Sequence, residues 1–317
     1  MGGGERVSEP NGIQRDHQLA RLTTVRTGGA AEAFARPQTQ DELVELLAWA
    51  ADEGLAVEVV GSGSNLLIAD AGVRGLVLKL DGELVALERD GTMLLCGGGV
   101  RLPSAAAKAA NWGLTGLEFG INIPGTVGGA VRMNANAYGG ELAQVLGWVE
   151  ICTADGVERR SPDQLGFEYR RSSLSADEVV ARASFDLSPA DSKVVKATLA
   201  EMRLKRREAQ PSGIKTFGST FKNPPADAPG VEGRTAGQLL EAAGAQDFSR
   251  GGARFSRKHA NFVENTGEAS TADVLAVLAE GRRRVHASFG VTLEPEVQVL
   301  GELEWPAEWH LEEPTEG

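Results

Sequence analysis

The sequence is short of several things, and each shortage excludes a class. Two cysteines, Cys96 and Cys152, occur in 317 residues. They show no metal-type spacing and cannot make a disulfide framework, which fits a reducing compartment. The four histidines, His17, His259, His286 and His310, show no i, i+4 pairing and no Cys/His cluster, so no metal site is expected. Positive charge is also scarce: 32 Lys and Arg stand against 44 Asp and Glu, a net charge of −12. Nonspecific nucleic-acid binding needs clustered cations that release counterions, and it is not expected here. No run approaches the ~18 apolar residues of a membrane span. The start, Met1-Gly-Gly-Gly-Glu-Arg, lacks an apolar signal region. A soluble cytoplasmic protein with no membrane insertion is the expectation. No interface is legible, so a monomer is the default.

Glycine is abundant instead, at 40 of 317 residues, against roughly 7% in average proteins. No collagen-like period accompanies it, so the excess belongs to turns and close backbone approaches. Two loops concentrate it: Gly61-Ser62-Gly63-Ser64-Asn65 and Ile123-Pro124-Gly125-Thr126-Val127-Gly128-Gly129. Both lie between apolar runs. Bare backbone with hydroxyls and free N–H groups suits a phosphate or diphosphate. Neither loop fits the common templates. The G-x-G-x-x-G spacing would need glycine where Leu66 stands, and no Gly-Lys-Ser/Thr triplet follows either loop. Arg170-Arg171 and the run Arg203 to Arg207 are local basic clusters suited to a small anion.

The length suits two or three domains. Residues 1–18 read as a flexible tail. Thr39 to Glu42 has capping-box form, followed by Leu43, Leu46, Leu47 and Ala50 at helical spacing up to Gly54. Val57 to Val60 reads as a strand entering the first loop, and Leu76 to Leu80 as a second. Asp90-Gly91 and Asp155-Gly156 are hairpin signals. Helices are expected over Leu102 to Asn111 and Asp191 to Glu208, the latter with Val194, Val195, Leu199 and Met202 on its apolar face. A strand is expected over Val179 to Leu187. Gln210 to Gly218 reads as a linker. Beyond it come helices near Thr235–Ala243 and Thr271–His286, a strand starting at His259, and a final strand from Leu293 to Leu300. Residues 302–317, acidic with Trp305 and Trp309, read as a flexible tail.

Several polar residues admit two readings. Ser219, in Gly218-Ser219-Thr220-Phe221-Lys222-Asn223-Pro224, is either a proton-passing hydroxyl in a dry site or part of a turn before a strand. Glu294 and Glu296 share a face if their strand is regular, as a functional pair or a solvated edge. Arg170, beside Tyr169 and Arg171, either binds a carboxylate or phosphate or joins a surface ion-pair cluster. His259 either faces a ligand or is a satisfied, partly buried histidine.

Taken in order, these segments resemble the UDP-N-acetylenolpyruvoylglucosamine reductase family of peptidoglycan synthesis from about Leu19 to Gly301. The carriers are Thr24 to Gly29, Gly61 to Leu67, Ile123 to Ala130, Met133-Asn134, Ala137 to Gly139, Tyr169-Arg170, Gly218 to Pro224, Ala236 to Leu239 and Glu296-Val297. The resemblance implies an α+β fold of three domains. Residues 19–80 and 81–209 would form a noncovalent FAD-binding module of the vanillyl-alcohol-oxidase (PCMH) type, and 210–301 an α+β substrate-binding domain. The short span from Tyr169-Arg170 to Gly218-Ser219 is similar to the compact subtype that lacks an extra substrate-capping insertion. NADPH would be co-substrate, and UDP-N-acetylglucosamine enolpyruvate the acceptor.

The resemblance also assigns roles. Arg170 would meet charge on the substrate carboxylate, Glu296 would donate to the developing enolate, and Ser219 would protonate C2. Arg26, Gly61, Ser62, Gly63, Ser64, Asn65, Leu66, Ile123, Pro124, Gly125, Thr126, Gly128 and Gly129 would hold FAD. Arg207, Lys222, Asn223 and His259 would contact substrate. Asn122 and Asn136 stand where the family usually has glycine; asparagine tolerates positive φ better than most residues, so the turns are expected to survive with an altered flavin environment. A flavin oxidoreductase of the same fold acting on a small alcohol or lactone would keep the loops, but would have no reason to keep Arg170, Ser219 and Glu296 together. A non-catalytic flavin or nucleotide-sugar binder is the other competing reading.

Overall fold

The structure, a computed structural model, describes residues 8–310. The chain forms two compact units. Among the described residues, the first comprises 8–17, Ala31–Ser62 and Arg74–Glu208; the second comprises Gln18–Ala30, Gly63–Val73 and 209–310. The expected segments 19–80 and 81–209 therefore both contribute to the first unit, while 18–30 and 63–73 group with the C-terminal part.

The first unit holds two larger sheets, beside two short strand pairs. One runs in the order Gln14–Gln18, Ala30–Ala35, Val73–Leu78, Val57–Val59, with the last two strands parallel. Helix α1, Gln40–Asp52, buries Leu43, Leu46, Leu47, Trp49 and Ala50. Its cap is half of the expected box. Thr39 accepts the Glu42 N–H, but the Glu42 carboxylate accepts from Gln38 N–H instead of closing back on Thr39. The presumed N-terminal tail is corrected by Gln14–Gln18, an exposed edge strand; residues 1–7 lie outside the described residues.

The other sheet is antiparallel, in the order Gly156–Arg160, Leu146–Thr153, Val179–Asp186, Met93–Gly97, Leu87–Asp90. Opposing Asp90 and Met93 leaves Gly91-Thr92 as the turn; opposing Thr153 and Gly156 leaves Ala154-Asp155, one residue earlier than the sequence signal. Helix α2, Leu102–Asn111, buries Leu102, Ala105, Ala106, Ala109 and Ala110, the i, i+3, i+4, i+7, i+8 stripe of an amphipathic helix. Helices α3, Val127–Arg132, and α4, Ser192–Ala209, complete this unit. On α4, Val195 and Leu199 are buried, but Val194 is exposed, against expectation. Both thiols are buried, which pushes Cys96 and Cys152 up to about 12 and leaves them inert.

In the second unit, Leu66–Ile68 pairs in parallel with Gln298–Leu300. A three-stranded sheet (Ser249–Arg250, Ala253–Phe255, Val263–Asn265) packs with helices α5, Ala236–Ala242, and α6, Thr271–Phe289. Capping boxes start both helices, Thr235 with Gln238 and Ser270 with Asp273, and Gly290 ends α6 in the left-handed region. The Asp70 carboxylate accepts the Thr271 and Ala272 N–H groups, both at 2.9 Å, where the α6 dipole favours an anion. Phe217, Phe221 and Phe255 are fully buried in this core; truncating such a ring to alanine typically costs about 3–5 kcal/mol. The expected C-terminal tail is also corrected. Trp305 stacks on Trp309 with centroids 4.0 Å apart, both pack on the core, and Arg282 lies 4.6 Å from the Trp309 ring and donates to its carbonyl. Residues 311–317 lie outside the described residues.

Candidate active site

In the first unit, the strand Val57–Val59 delivers Gly61 and Ser62. The Gly61 backbone lies against Thr126, and a Cβ on Gly61 would sit 2.5 Å from Thr126 Oγ1. Lys79 Nζ donates to the Gly61 carbonyl at 2.7 Å. The Ser62 hydroxyl is buried and meets no hydrogen-bond partner among the described residues. The second loop begins beside this point, with Thr126 as N-cap of α3.

The two loops treat their amides oppositely. The N–H groups of Gly61, Ser62, Gly63, Ser64 and Asn65 donate to no acceptor among the described residues. In the second loop, Ile123 N–H donates to Gly120, Val127 to Val100 and Gly128 to Gly98, at 3.1, 2.8 and 2.7 Å, and Gly129 N–H reaches Thr126 Oγ1 at 3.4 Å. Only the Gly125 and Thr126 amides are left, because Pro124 has none. The expectation of free N–H groups thus holds for the first loop and is corrected for most of the second. An unbonded run of amides, a buried orphan hydroxyl and a glycine with no room for Cβ fit the diphosphate of FAD.

Asn122 does not occupy positive φ, and neither does Asn136. The reason expected for asparagine at these positions is therefore wrong. Asn122 instead clasps α4: its amide donates to the Met202 carbonyl at 2.8 Å, and its own carbonyl accepts from Arg206. Arg206 is half-buried, while Arg207, singled out from the sequence, is exposed. Neighbouring arginines cannot be told apart without the helix phase; the signal was that Arg206 lies four residues after the half-buried Met202.

Arg170 sits on a tight turn in which Glu168 and Arg171 exchange backbone bonds of 3.0 and 3.2 Å. Its φ is 59°, and nearby Asn134 and Tyr138 have φ of 38° and 52°. Left-handed backbone at a non-glycine residue costs about 1–3 kcal/mol and concentrates at functional sites. Arg170 Nη1 donates to the Asn136 carbonyl at 3.4 Å, and the guanidinium lies 5.5 Å from the Tyr169 ring. Buried Asn134, a carrier of the resemblance with no role assigned from the sequence, donates to Glu141 at 2.6 Å and to the Glu168 carbonyl at 3.3 Å, which ties this turn to the Asn136 segment.

In the second unit, Ser219 lies in an extended segment between two others. On one side it bridges Phe262, and Thr220 N–H donates to Asn261 at 2.8 Å; on the other, Glu296 N–H donates to Thr220 at 2.8 Å and Phe221 bridges Pro295. The Asn261 side chain clamps Phe221 at both ends, at 2.9 and 2.8 Å. Asn65 Nδ2 reaches the Glu296 carbonyl at 3.4 Å, and Gln298 N–H donates to Asn65 at 3.0 Å. The segments of Ser219, Glu296 and Asn65 are thus drawn together, and Asn261 is a further residue the sequence reading passed over. The expected long final strand is ladder-paired only at Gln298–Leu300. Glu294 is exposed and pairs with Lys222 at 3.3 Å.

The remaining candidates are scattered in role. Gly63, at φ 62°, has no room for Cβ, which would lie 2.0 Å from the Leu22 carbonyl; Thr24 N–H donates to Gly63 at 3.0 Å. Arg26 has φ 65°, with its N–H held by Thr23 Oγ1 at 3.0 Å. Leu66 opens the strand Leu66–Ile68. The Asn223 side chain accepts from Ala236 N–H through Oδ1 at 3.0 Å, at the start of α5. His259 lies in a turn and does not begin a strand, which runs only over Val263–Asn265. Its Nδ1 accepts from Asn261 N–H at 3.2 Å, and burial lowers its pKa, with its own backbone bond and Glu241 opposing. No group of three or more His, Cys, Asp or Glu among the described residues could hold a metal ion.

Residues 31–161 match the family described as FAD binding domain, and residues 210–300 match that described as UDP-N-acetylenolpyruvoylglucosamine reductase, C-terminal domain. The chain is 42% identical over 301 residues to UDP-N-acetylenolpyruvoylglucosamine reductase 2 of Symbiobacterium thermophilum, covering 94% of this chain and 96% of the relative. It is 43% identical over 289 residues to the UDP-N-acetylenolpyruvoylglucosamine reductase of Anaeromyxobacter dehalogenans, covering 91% and 86%. The crystal structure of UDP-N-acetylenolpyruvylglucosamine reductase (MurB) from Thermus caldophilus superposes with a TM-score of 0.78 at 34% identity, covering 91% of this chain and 99% of that one.

Proposed function

The chain belongs to the UDP-N-acetylenolpyruvoylglucosamine reductase family, and on that basis we propose that it uses NADPH to reduce the enolpyruvyl ether of UDP-N-acetylglucosamine to the D-lactyl ether, giving UDP-N-acetylmuramate for peptidoglycan. It is an FAD-containing oxidoreductase of α+β fold. Residues 19–80 and 81–209 serve the cofactor and 210–301 the UDP-sugar in this reading. Its setting is the cytoplasm, with the enzyme acting as a monomer. Among the described residues, no helix is long and apolar enough to cross a membrane.

FAD, when bound, carries hydride from NADPH to the vinyl C3 of the substrate. The protein handles the charge and the proton. Hydride arrival at C3 drives electron density into the substrate carboxylate, and preorganised donors must meet it. Arg170, fixed on its strained turn, supplies a guanidinium of matching geometry. The Glu296 carboxyl, in its protonated form, donates to the developing enolate oxygen. The Ser219 hydroxyl gives its proton to C2. A serine is a weak acid, so this works only because an enolate carbon is strongly basic and solvent can replace the proton. Lys222 and His259 are assigned to the UDP-sugar, and Arg207 to a phosphate.

The observation that carries this reading is the backbone ladder that fixes the Ser219 and Glu296 segments side by side, with Glu296 N–H on the Thr220 carbonyl at 2.8 Å. The test is turnover. Purified protein should be yellow, and with NADPH it should convert the enolpyruvyl nucleotide to a product whose mass and proton spectrum show a D-lactyl ether. Yellow protein that leaves this substrate untouched refutes the proposal.

A further inference from the structure

Lys79 follows the strand Val73–Leu78, and its own N–H donates to Ala35 at 3.1 Å. Its side chain crosses to the first glycine-rich loop, where Nζ holds the Gly61 carbonyl at 2.7 Å. The residue is half-buried. Among the described residues no carboxylate lies within ion-pair distance of its ammonium. The charged group nearest in effect is another cation: burial first and then Arg36 lower the Lys79 pKa, with Asp81 opposing more weakly. A desolvated ammonium without an anion is unfavourable. The polar groups around it do not supply one. The Gly61 and Ser62 amides are unbonded donors, and the Ser62 hydroxyl is buried and unpartnered. Thr126 closes the other side of Gly61. Cation, amides and hydroxyl are all suited to the same complement, an anion with several oxygens.

We propose that Lys79 is the counter-charge for the cofactor's diphosphate at the first glycine-rich loop, and that it fixes the loop through the Gly61 carbonyl. The proposal rests on the flavoenzyme reading above. It separates two contributions of one side chain: a hydrogen bond that shapes the loop, which salt does not screen, and a charge, which salt does.

The experiment dilutes the holoenzyme and follows released FAD by its fluorescence, at low and at high salt, for wild type, Lys79→Met and Lys79→Gln. Loss of a charge-assisted contact is expected to raise the FAD Kd of both variants by about tenfold or more at low salt. The gap from wild type should narrow at high salt. Lys79→Gln keeps a donor for the Gly61 carbonyl and so reports the charge even if Lys79→Met folds poorly. Variant affinities within twofold of wild type overturn the proposal, as does a weakening of equal size at both salts. Wild-type protein that takes up no FAD overturns the flavoenzyme reading and this proposal together. Wild type that loads normally beside variants that load equally well overturns this proposal alone.

Discussion

The two glycine-rich loops look alike in sequence and differ in how their backbone is used. Among the described residues, Gly61 to Asn65 leave their amides unbonded, whereas Ile123, Val127, Gly128 and Gly129 have theirs engaged. A loop that keeps its donors is built to receive an anion. A loop that has satisfied them is built to hold a shape. Glycine serves both, in the first because amides must stay accessible, in the second because neighbours come close. In the proposed reading, cofactor holding and chemistry are separate tasks, since Arg170, Ser219 and Glu296 lie on neither loop.

The largest effect should come from outside both loops. Ser219→Ala is expected to slow reduction of the enolpyruvyl group by about 10²–10⁴-fold while NADPH still reduces the flavin rapidly. Stopped-flow traces of the two half-reactions check this. If the first half-reaction falls equally, cofactor holding and chemistry are not separable here.

Gly61→Val breaks the first loop itself. Its Cβ would fall 2.5 Å from Thr126 Oγ1, and overpacking of this kind costs about 1–3 kcal/mol. The expected result is protein that retains its fold by circular dichroism but loses FAD on gel filtration. Asn122→Ala sharpens the contrast from the other loop. It removes one hydrogen bond to Met202, worth about 0.5–1.5 kcal/mol. The expected outcome is a small fall in thermal midpoint with FAD retained and a shifted flavin spectrum.

The smallest effect is pH-dependent. Burial lowers the His259 pKa below the ordinary histidine value, so the folded protein holds this proton less tightly than the unfolded chain. The associated stability is complete above the unfolded pKa, and it is lost as pH falls through that value towards the folded one. His17 is lowered in the same direction by burial and Arg36, so its contribution has the same sign. His259→Gln should flatten the fall in thermal midpoint below about pH 6.5 and leave the His17 share. An unchanged profile would remove His259 as a contributor.

Much of this was legible in the sequence because residue type alone carried it. Helix α1 followed from its cap pattern and apolar spacing, helices α2, α5 and α6 lie close to the expected segments, and the first loop followed from glycines and hydroxyls beside a strand. What was not legible depended on partners distant in sequence. The second loop's amides are satisfied by Val100 and Gly98, which no local pattern reveals. Gln14–Gln18 is a polar edge strand, so it lacks the alternation that marks a half-buried one. Pro295 has no N–H to give a ladder, and the regular strand begins only at Gln298. Asn122 was assigned to a backbone role because asparagine tolerates positive φ, whereas its side chain and carbonyl bind α4. The bond from Arg206 to the Asn122 carbonyl was not legible either, because adjacent arginines on a helix differ only in phase.

The most direct test of the central claim is a two-step anaerobic experiment on the holoenzyme. NADPH is added until the flavin absorbance bleaches, and UDP-N-acetylglucosamine enolpyruvate is then added with oxygen excluded. The account predicts that the absorbance returns in step with formation of UDP-N-acetylmuramate. Flavin that bleaches with NADPH and stays bleached after the enolpyruvyl nucleotide is added would contradict it.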